Sequence, residues 1–255
     1  NDGNHTMTGG QSSLAFNITY GAAAQLAVST KAGTAAVGQG SSSDIVRAGV
    51  AFTRQPEILV QDADGNTVEN SSLSVVARIS SPAGLTVPVG SGSTTVAASN
   101  GVVRFANLRA TGTVGTYTMT YAMAADSSVS VQQTGLELTA GVAAKLAIQT
   151  QPTDVVSGVA FDANNATNKR VTVVVQDAWN NLVGDATNAV TPDLINSATN
   201  VSRGDPKTAV SAASGSAAFS GLSFGKAGSH KILFTATGLT LSLIHISEPT
   251  RLLSI

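Results

Sequence analysis

Apolar and polar residues alternate with a period of two along short stretches of this chain, separated by clusters of Gly, Asn, Asp, Ser and Pro. That alternation marks half-buried strands and the clusters mark turns. It predicts strands near Gln25–Thr30, Glu57–Gln61, Ser74–Ser80, Thr94–Ala97, Gly101–Leu108, Gly115–Ala124 and Val129–Thr139. The clearest is Thr116–Ala124 (TYTMTYAMA). There Tyr117, Met119, Tyr121 and Met123 fall on one face, and Thr118 and Thr120 on the other. No window sustains a helical apolar period over three turns. Strands this short and evenly spaced fit an antiparallel sandwich.

The pattern occurs twice. AAAQLAVST at Ala22–Thr30 returns as VAAKLAIQT at Val142–Thr150, and AGVAF at Ala48–Phe52 returns as SGVAF at Ser157–Phe161. ILVQDADGNTV at Ile58–Val68 returns as VVVQDAWNNLV at Val173–Val183, and GVVRFANL at Gly101–Leu108 as GSAAFSGL at Gly215–Leu222. Order is kept while the offset drifts, as it does when insertions sit in loops, so the chain carries two copies of one unit. The expected boundaries are 22–140 for the first copy and 141–239 for the second, which lacks its final strand. Thr139–Val142 joins them with almost no slack, which favours a semi-rigid rod. Lys31–Asp44 is longer than the matching loop of the second copy and reads as a surface excursion.

Both ends stand outside the repeat. Residues 1–21 include LAFNITYG at Leu14–Gly21, which is like LELTAGVA at Leu136–Ala143, and are expected to be the last strand of a preceding copy. Residues 240–255 are not foreseen by the repeat. LSLIHISEPTR at Leu241–Arg251 resembles the translation, in one reading frame, of a transposase-type sequencing adapter, so this tail is expected to be non-native.

The motifs VQDADGNTVENSSLSVVARIS and SNGVVRFANLRATGTVGTYTMTYA resemble the bacterial immunoglobulin-like repeats of invasin, intimin and related surface proteins. The likeness runs over Ala22–Leu239. It implies an all-β fold: tandem immunoglobulin-like antiparallel β-sandwiches of Greek-key type, the second truncated. It also implies an extracellular bacterial stalk that holds an adhesive or catalytic tip away from the surface. The second copy departs from the pattern, with Trp179-Asn180-Asn181 in place of Asp64-Gly65-Asn66 and His230 in place of Tyr117.

Composition narrows the partners. Only 11% of residues are charged and the net charge is −1, so no basic patch exists to follow a phosphate backbone. Near-neutrality also argues against steering to anionic membranes. Cysteine is absent, which removes an inter-sheet disulfide and favours a bacterial chain.

The candidate chemistry is sparse. Asp62, Asp64 and Asn66 suggest a calcium loop, but a hard cation needs six to eight oxygens and this segment supplies few, so turn chemistry is favoured. Of the three histidines, His5 lies in the leading fragment, His245 in the tail, and His230 takes the place of a corner tyrosine. No Ser–His–Asp set assembles, and nothing pairs Glu57 with Glu69 as acid and base. Trp179 sits on a turn, where an indole can stack on a sugar or enter an interdomain contact, but folding over the neighbouring sheet edge is the expected arrangement. Asn17, Asn70, Asn165 and Asn200 head N-x-S/T sequons, read as coincidence in a bacterial chain.

The function expected from these observations is a non-enzymatic spacer in a cell-surface or secreted adhesin, with no cofactor. Its partners would be neighbouring repeats of the same chain and, through domains outside this window, a surface receptor or glycan. The alternative is an accessory, carbohydrate-binding module of a secreted polysaccharide-degrading enzyme, with Trp179 as the stacking residue.

Overall fold

The structure, a computed structural model, describes residues 17–33, 44–86, 92–163, 170–196, 208–225, 227–228 and 230–241. His5, His245, Asn165, Asn200, most of the Lys31–Asp44 excursion and nearly all of the 240–255 tail lie outside the described residues.

The chain is all β. The first module holds β1 (Gln25–Thr30), β2 (Ile45–Arg47), β3 (Glu57–Gln61), β4 (Ser74–Ile79), β5 (Gly84–Thr86), β6 (Thr95–Ala97), β7 (Val102–Arg104), β8 (Arg109–Thr111), β9 (Gly115–Met123) and β10 (Ser130–Thr139). One sheet runs β1-β3-β7 and the facing one β2-β10-β9-β4-β6, with β5-β8 as a short ribbon. The second module holds β11 (Lys145–Thr150), β12 (Thr172–Gln176), β13 (Ala189–Asn196), β14 (Val210–Ser211), β15 (Ser216–Ala218), β16 (His230–Thr235) and β17 (Thr240–Leu241). Its sheets run β15-β12-β11-β17 and β14-β13-β16, with β17 formed by the first two residues past the expected boundary at 239. Pairing is antiparallel except between β10 and β2 and between β11 and β17.

The two modules reproduce each other where β1 meets β3 and β11 meets β12, and differ elsewhere in strand number. β1 pairs with β3 through a bulge between Val28 and Thr30, and β11 pairs with β12 through a bulge between Ile148 and Thr150. Each module has its own core, one built from Leu26 to Leu138 and the other from Leu146 to Phe234. An aromatic pair anchors each of them. Phe105 and Tyr121 lie 5.8 Å apart, centroid to centroid, and the equivalent Phe219 and Phe234 lie 5.2 Å apart. Both pairs are tilted, the arrangement that ring quadrupoles favour.

The expected β9 alternation is present: Tyr117, Met119, Tyr121 and Met123 are all buried. Three strands escape the alternation pattern, β2, β5 and β8, each three residues long. Each is made a strand by its pairing partner, β10 for β2 and the β5–β8 ribbon for the other two, rather than by a run of alternating residues. The stretch expected as a strand over Gly101–Leu108 is strand only over β7, because Asn107 takes a φ of 57° and turns the chain.

Candidate functional site: the joint between the modules

The QDAxxN segment at the end of β3 and of β12 makes the same structure twice. In the first module the Asp62 carboxylate accepts hydrogen bonds from the backbone N–H of Asp64 (3.0 Å) and Asn66 (2.9 Å), and from Asn66 Nδ2 (3.0 Å). It also reaches back and accepts from the N–H of Gly21 at 2.8 Å. In the second module Asp177 accepts from the N–H of Trp179 (2.9 Å) and Asn181 (2.9 Å), from Asn181 Nδ2 (2.8 Å), and from the N–H of Gly141 at 2.8 Å. An aspartate is suited to this because an ionised carboxylate accepts through two oxygens and donates nothing. Each turn also needs a left-handed residue, met by Gly65 (φ 88°) and by Asn180 (φ 70°).

The electrostatics follow from these donors. The Gly21 N–H, then the Asn66 amide, pull the Asp62 carboxyl down to about 2 against the opposing effect of burial. Burial pushes Asp177 upward, but the bonds from the Asn181 side chain, Gly141, the Asn181 backbone and Trp179 outweigh it, and its carboxyl also titrates below the usual range.

Gly141 lies in the connection between the modules, so the Asp177 clamp ties the connection to the turn. Around that tie the two modules meet. Asn181 Nδ2 donates to Gly112 O at 2.8 Å, and Asn181 Oδ1 accepts from the N–H of Val114 at 2.9 Å. The loop they bind, 112–114, is held from its own side by Tyr117, whose hydroxyl donates to Thr113 O at 2.7 Å. That is the corner geometry expected of this tyrosine. Arg47 donates through Nε to Ala140 O (3.2 Å) and through Nη2 to Gly141 O (3.0 Å). It also pairs with Asp185 at 3.7 Å, an exposed contact that contributes little.

Trp179 is the apolar centre of the joint. Its indole belongs to the second module and, instead of folding over the neighbouring sheet edge as expected, packs against the core of the first, because Gly49 lies opposite it. Two glycines make room for it. A Cβ at Gly49 would collide with Trp179 Cη2 and lie 2.8 Å from its Cζ3. A Cβ at Gly141 would lie 2.5 Å from Ala48 O and 3.3 Å from Trp179 Cζ3. Side chains at either position would force the modules apart.

The structure therefore separates the candidates singled out from sequence. Asp62 and Asn66 are bound into a turn, with both Asp62 oxygens taken by N–H donors, while Asp64 is exposed. Among the described residues no group of three or more His, Asp or Glu is placed to hold a metal ion. No helix among them is long and apolar enough to cross a membrane. His230 Nε2 lies 3.3 Å from Ala227 O, a local corner contact in the place of the tyrosine's. Sequence reasoning missed Gly49, Gly112, Arg47 and Asn181 as joint residues. Its available signal was the glycine repeated in AGVAF and SGVAF.

No family model and no curated protein matches this chain. Among solved structures it is similar to the Escherichia coli adhesin FdeC at 17% identity and a TM-score of 0.35, covering 85% of this chain and 61% of that one. It is also similar to a β-glucuronidase from glycoside hydrolase family 2 at 13% identity and a TM-score of 0.30, covering 85% of this chain and 30% of that one. The chain thus spans less than two thirds of either structure.

Proposed function

We propose that this chain is a non-enzymatic spacer, a stretch of a bacterial surface or secreted adhesin that holds distance and direction. The observation that carries this reading is the joint. A connection of a few residues could leave two sandwiches swinging freely. Here the connection is clamped by Asp177, the adjoining corner is gripped by Asn181, and an indole fills the space between the modules. Chemistry of that kind restrains orientation, which a stalk needs and a string of independent binding modules does not. The indole's commitment to Gly49 and Gly141 also leaves less of it to stack on a sugar.

The test is motion. In the full chain, 15N relaxation and small-angle scattering should report one elongated body with a common rotational correlation time. Trp179→Ala should let the modules reorient separately while each keeps its fold. Two independently tumbling modules in the unaltered chain would overturn the spacer reading.

A further inference from the structure

A stalk is pulled from its two ends, so the route by which tension crosses a module decides how well it keeps its length. In the first module tension enters at Gly21, beside the Asp62 turn, and runs along β1. It leaves along β10, whose last residue, Thr139, accepts the N–H of Ala48 beside the joint. These two strands lie in different sheets, and β1 is an edge strand whose one sheet partner among the described residues is β3. The chain does continue from β1 to β2, which pairs with β10, but residues 34–43 intervene. Ten residues of backbone can span roughly 35 Å when drawn out. Arg54 touches both ends of that detour: Nε donates to Lys31 O at 2.7 Å and Nη2 to Asp44 Oδ1 at 2.9 Å. The gap is thus within reach of one side chain, and the backbone that crosses it is longer than it needs to be.

One contact bypasses the detour. Gln133, on β10, donates through Nε2 to Ala32 O and accepts through Oε1 from the N–H of Ala32, both at 2.8 Å. Ala32 lies two residues past the end of β1, and both partners are buried. Gly33, next along, is fixed to Arg54 by backbone bonds of 3.1 and 3.0 Å. A side-chain amide suits this place because its one plane offers a donor and an acceptor, which match the N–H and C=O of a single backbone residue. Both bonds join the same two residues, so they share a load instead of taking it in turn. Being buried, they cannot be exchanged for bonds to water as they begin to lengthen.

We infer that Gln133 is a mechanical tie, which passes tension from the entering strand straight to the leaving strand and keeps residues 34–43 out of the load path. The inference rests on the spacer reading, since only a module held at both ends has β1 pulled against β10. Without the tie, β1 would strip from β3 at the sheet edge. Freeing residues 22–44 would lengthen the chain by roughly 60–80 Å before β2 came under load against β10. A stalk that gives in this way loses the distance it exists to hold.

The test is to pull single molecules of the full chain from their termini. In the unaltered chain the first module should open in one event, with a contour-length gain of roughly 400 Å. Gln133→Met keeps the volume and removes both bonds. It should split that event in two, with an early gain of roughly 60–80 Å at lower force. Val103→Ala truncates a fully buried core residue on β7, away from the path. It should lower the force and keep the single event. An early gain in the unaltered chain, an early gain in Val103→Ala, or an unsplit event in Gln133→Met would each overturn the tie. The first of these needs no variant, so it decides the matter even where Gln133→Met does not fold. Tumbling of the unloaded modules tests the spacer reading separately: modules that still move as one body while the tie fails leave that reading standing.

Discussion

The turns Asp62–Asn66 and Asp177–Asn181 share an aspartate clamp and differ in what they present. Both carboxylates accept the N–H of a glycine in the preceding connection, Gly21 or Gly141. Both glutamines that precede them donate to the left-handed residue's carbonyl, Gln61 to Gly65 O (2.9 Å) and Gln176 to Asn180 O (3.1 Å). Yet only the second turn carries an indole, and among the described residues only it grips another module. The lesson is that the clamp belongs to the repeat and the contact belongs to the neighbour. One aspartate organises its own turn whether or not anything docks there. The residue two positions later decides whether the turn becomes a joint.

The largest way to break that comparison is to remove the clamp. Asp177→Ala leaves the N–H groups of Gly141, Trp179 and Asn181 without their acceptor in a buried place. The expected cost is about 2–4 kcal/mol of second-module stability, read by chemical denaturation. It should also free the modules to reorient, because Asn181 loses the group that aims it. An unchanged midpoint would show that the clamp is decorative.

The cores supply a second contrast with the opposite sign. Tyr121 and Phe234 occupy equivalent places, but the Tyr121 hydroxyl is buried with no hydrogen-bond partner among the described residues. Burial, with a smaller contribution from the Asp44 charge, pushes its ionisation well above the ordinary tyrosine range. Tyr121→Phe, which copies the second module, should stabilise the first by about 1 kcal/mol, since an unpaired buried hydroxyl is a net cost. A loss of stability in thermal unfolding would mean that the hydroxyl finds a partner.

Acid sharpens the comparison further. Both clamp carboxyls titrate lower in the folded chain than in the unfolded one, so their contribution is complete above the unfolded value of 3.8 and disappears as pH falls through the folded one. For Asp62 that places the loss between about pH 4 and pH 2. Thermal midpoints measured from pH 5 down to pH 2 should fall in this window, and Asp62→Asn should flatten the part that belongs to the first module. The smallest expected effect is Asp64→Trp. Its side chain is exposed, so stability should change by no more than about 0.5 kcal/mol. A large gain would mean that a contact waits there already.

Much of the architecture was legible in the residues. Alternation located β1, β3 and β9, and the doubled motifs aligned Phe105 with Phe219 and Asp62 with Asp177. The tyrosine at 117 announced its corner because a Gly-Thr-Tyr strand start places the hydroxyl over the preceding loop. The short strands β2, β5 and β8 were not legible, since tertiary pairing rather than local pattern makes them strands. Gln133 was silent as well. It is buried, and its amide exchanges two 2.8 Å bonds with the backbone of Ala32, a partner 101 residues away. Neither residue type nor spacing points to such a match.

The amino-acid sequence by itself determined that one β unit occurs twice, that Phe105, Phe219 and one face of β9 point inward, and that a tight turn follows β3 and β12. It could do so because strand periodicity and turn chemistry are local, and a repeat supplies its own alignment. Only the tertiary structure decided what Trp179 is for. Whether an indole on a turn meets solvent, its own sheet or another module depends on which backbone lies opposite. Here that is Gly49, brought up from 130 positions earlier in the chain and lacking the one atom that would have kept the ring out.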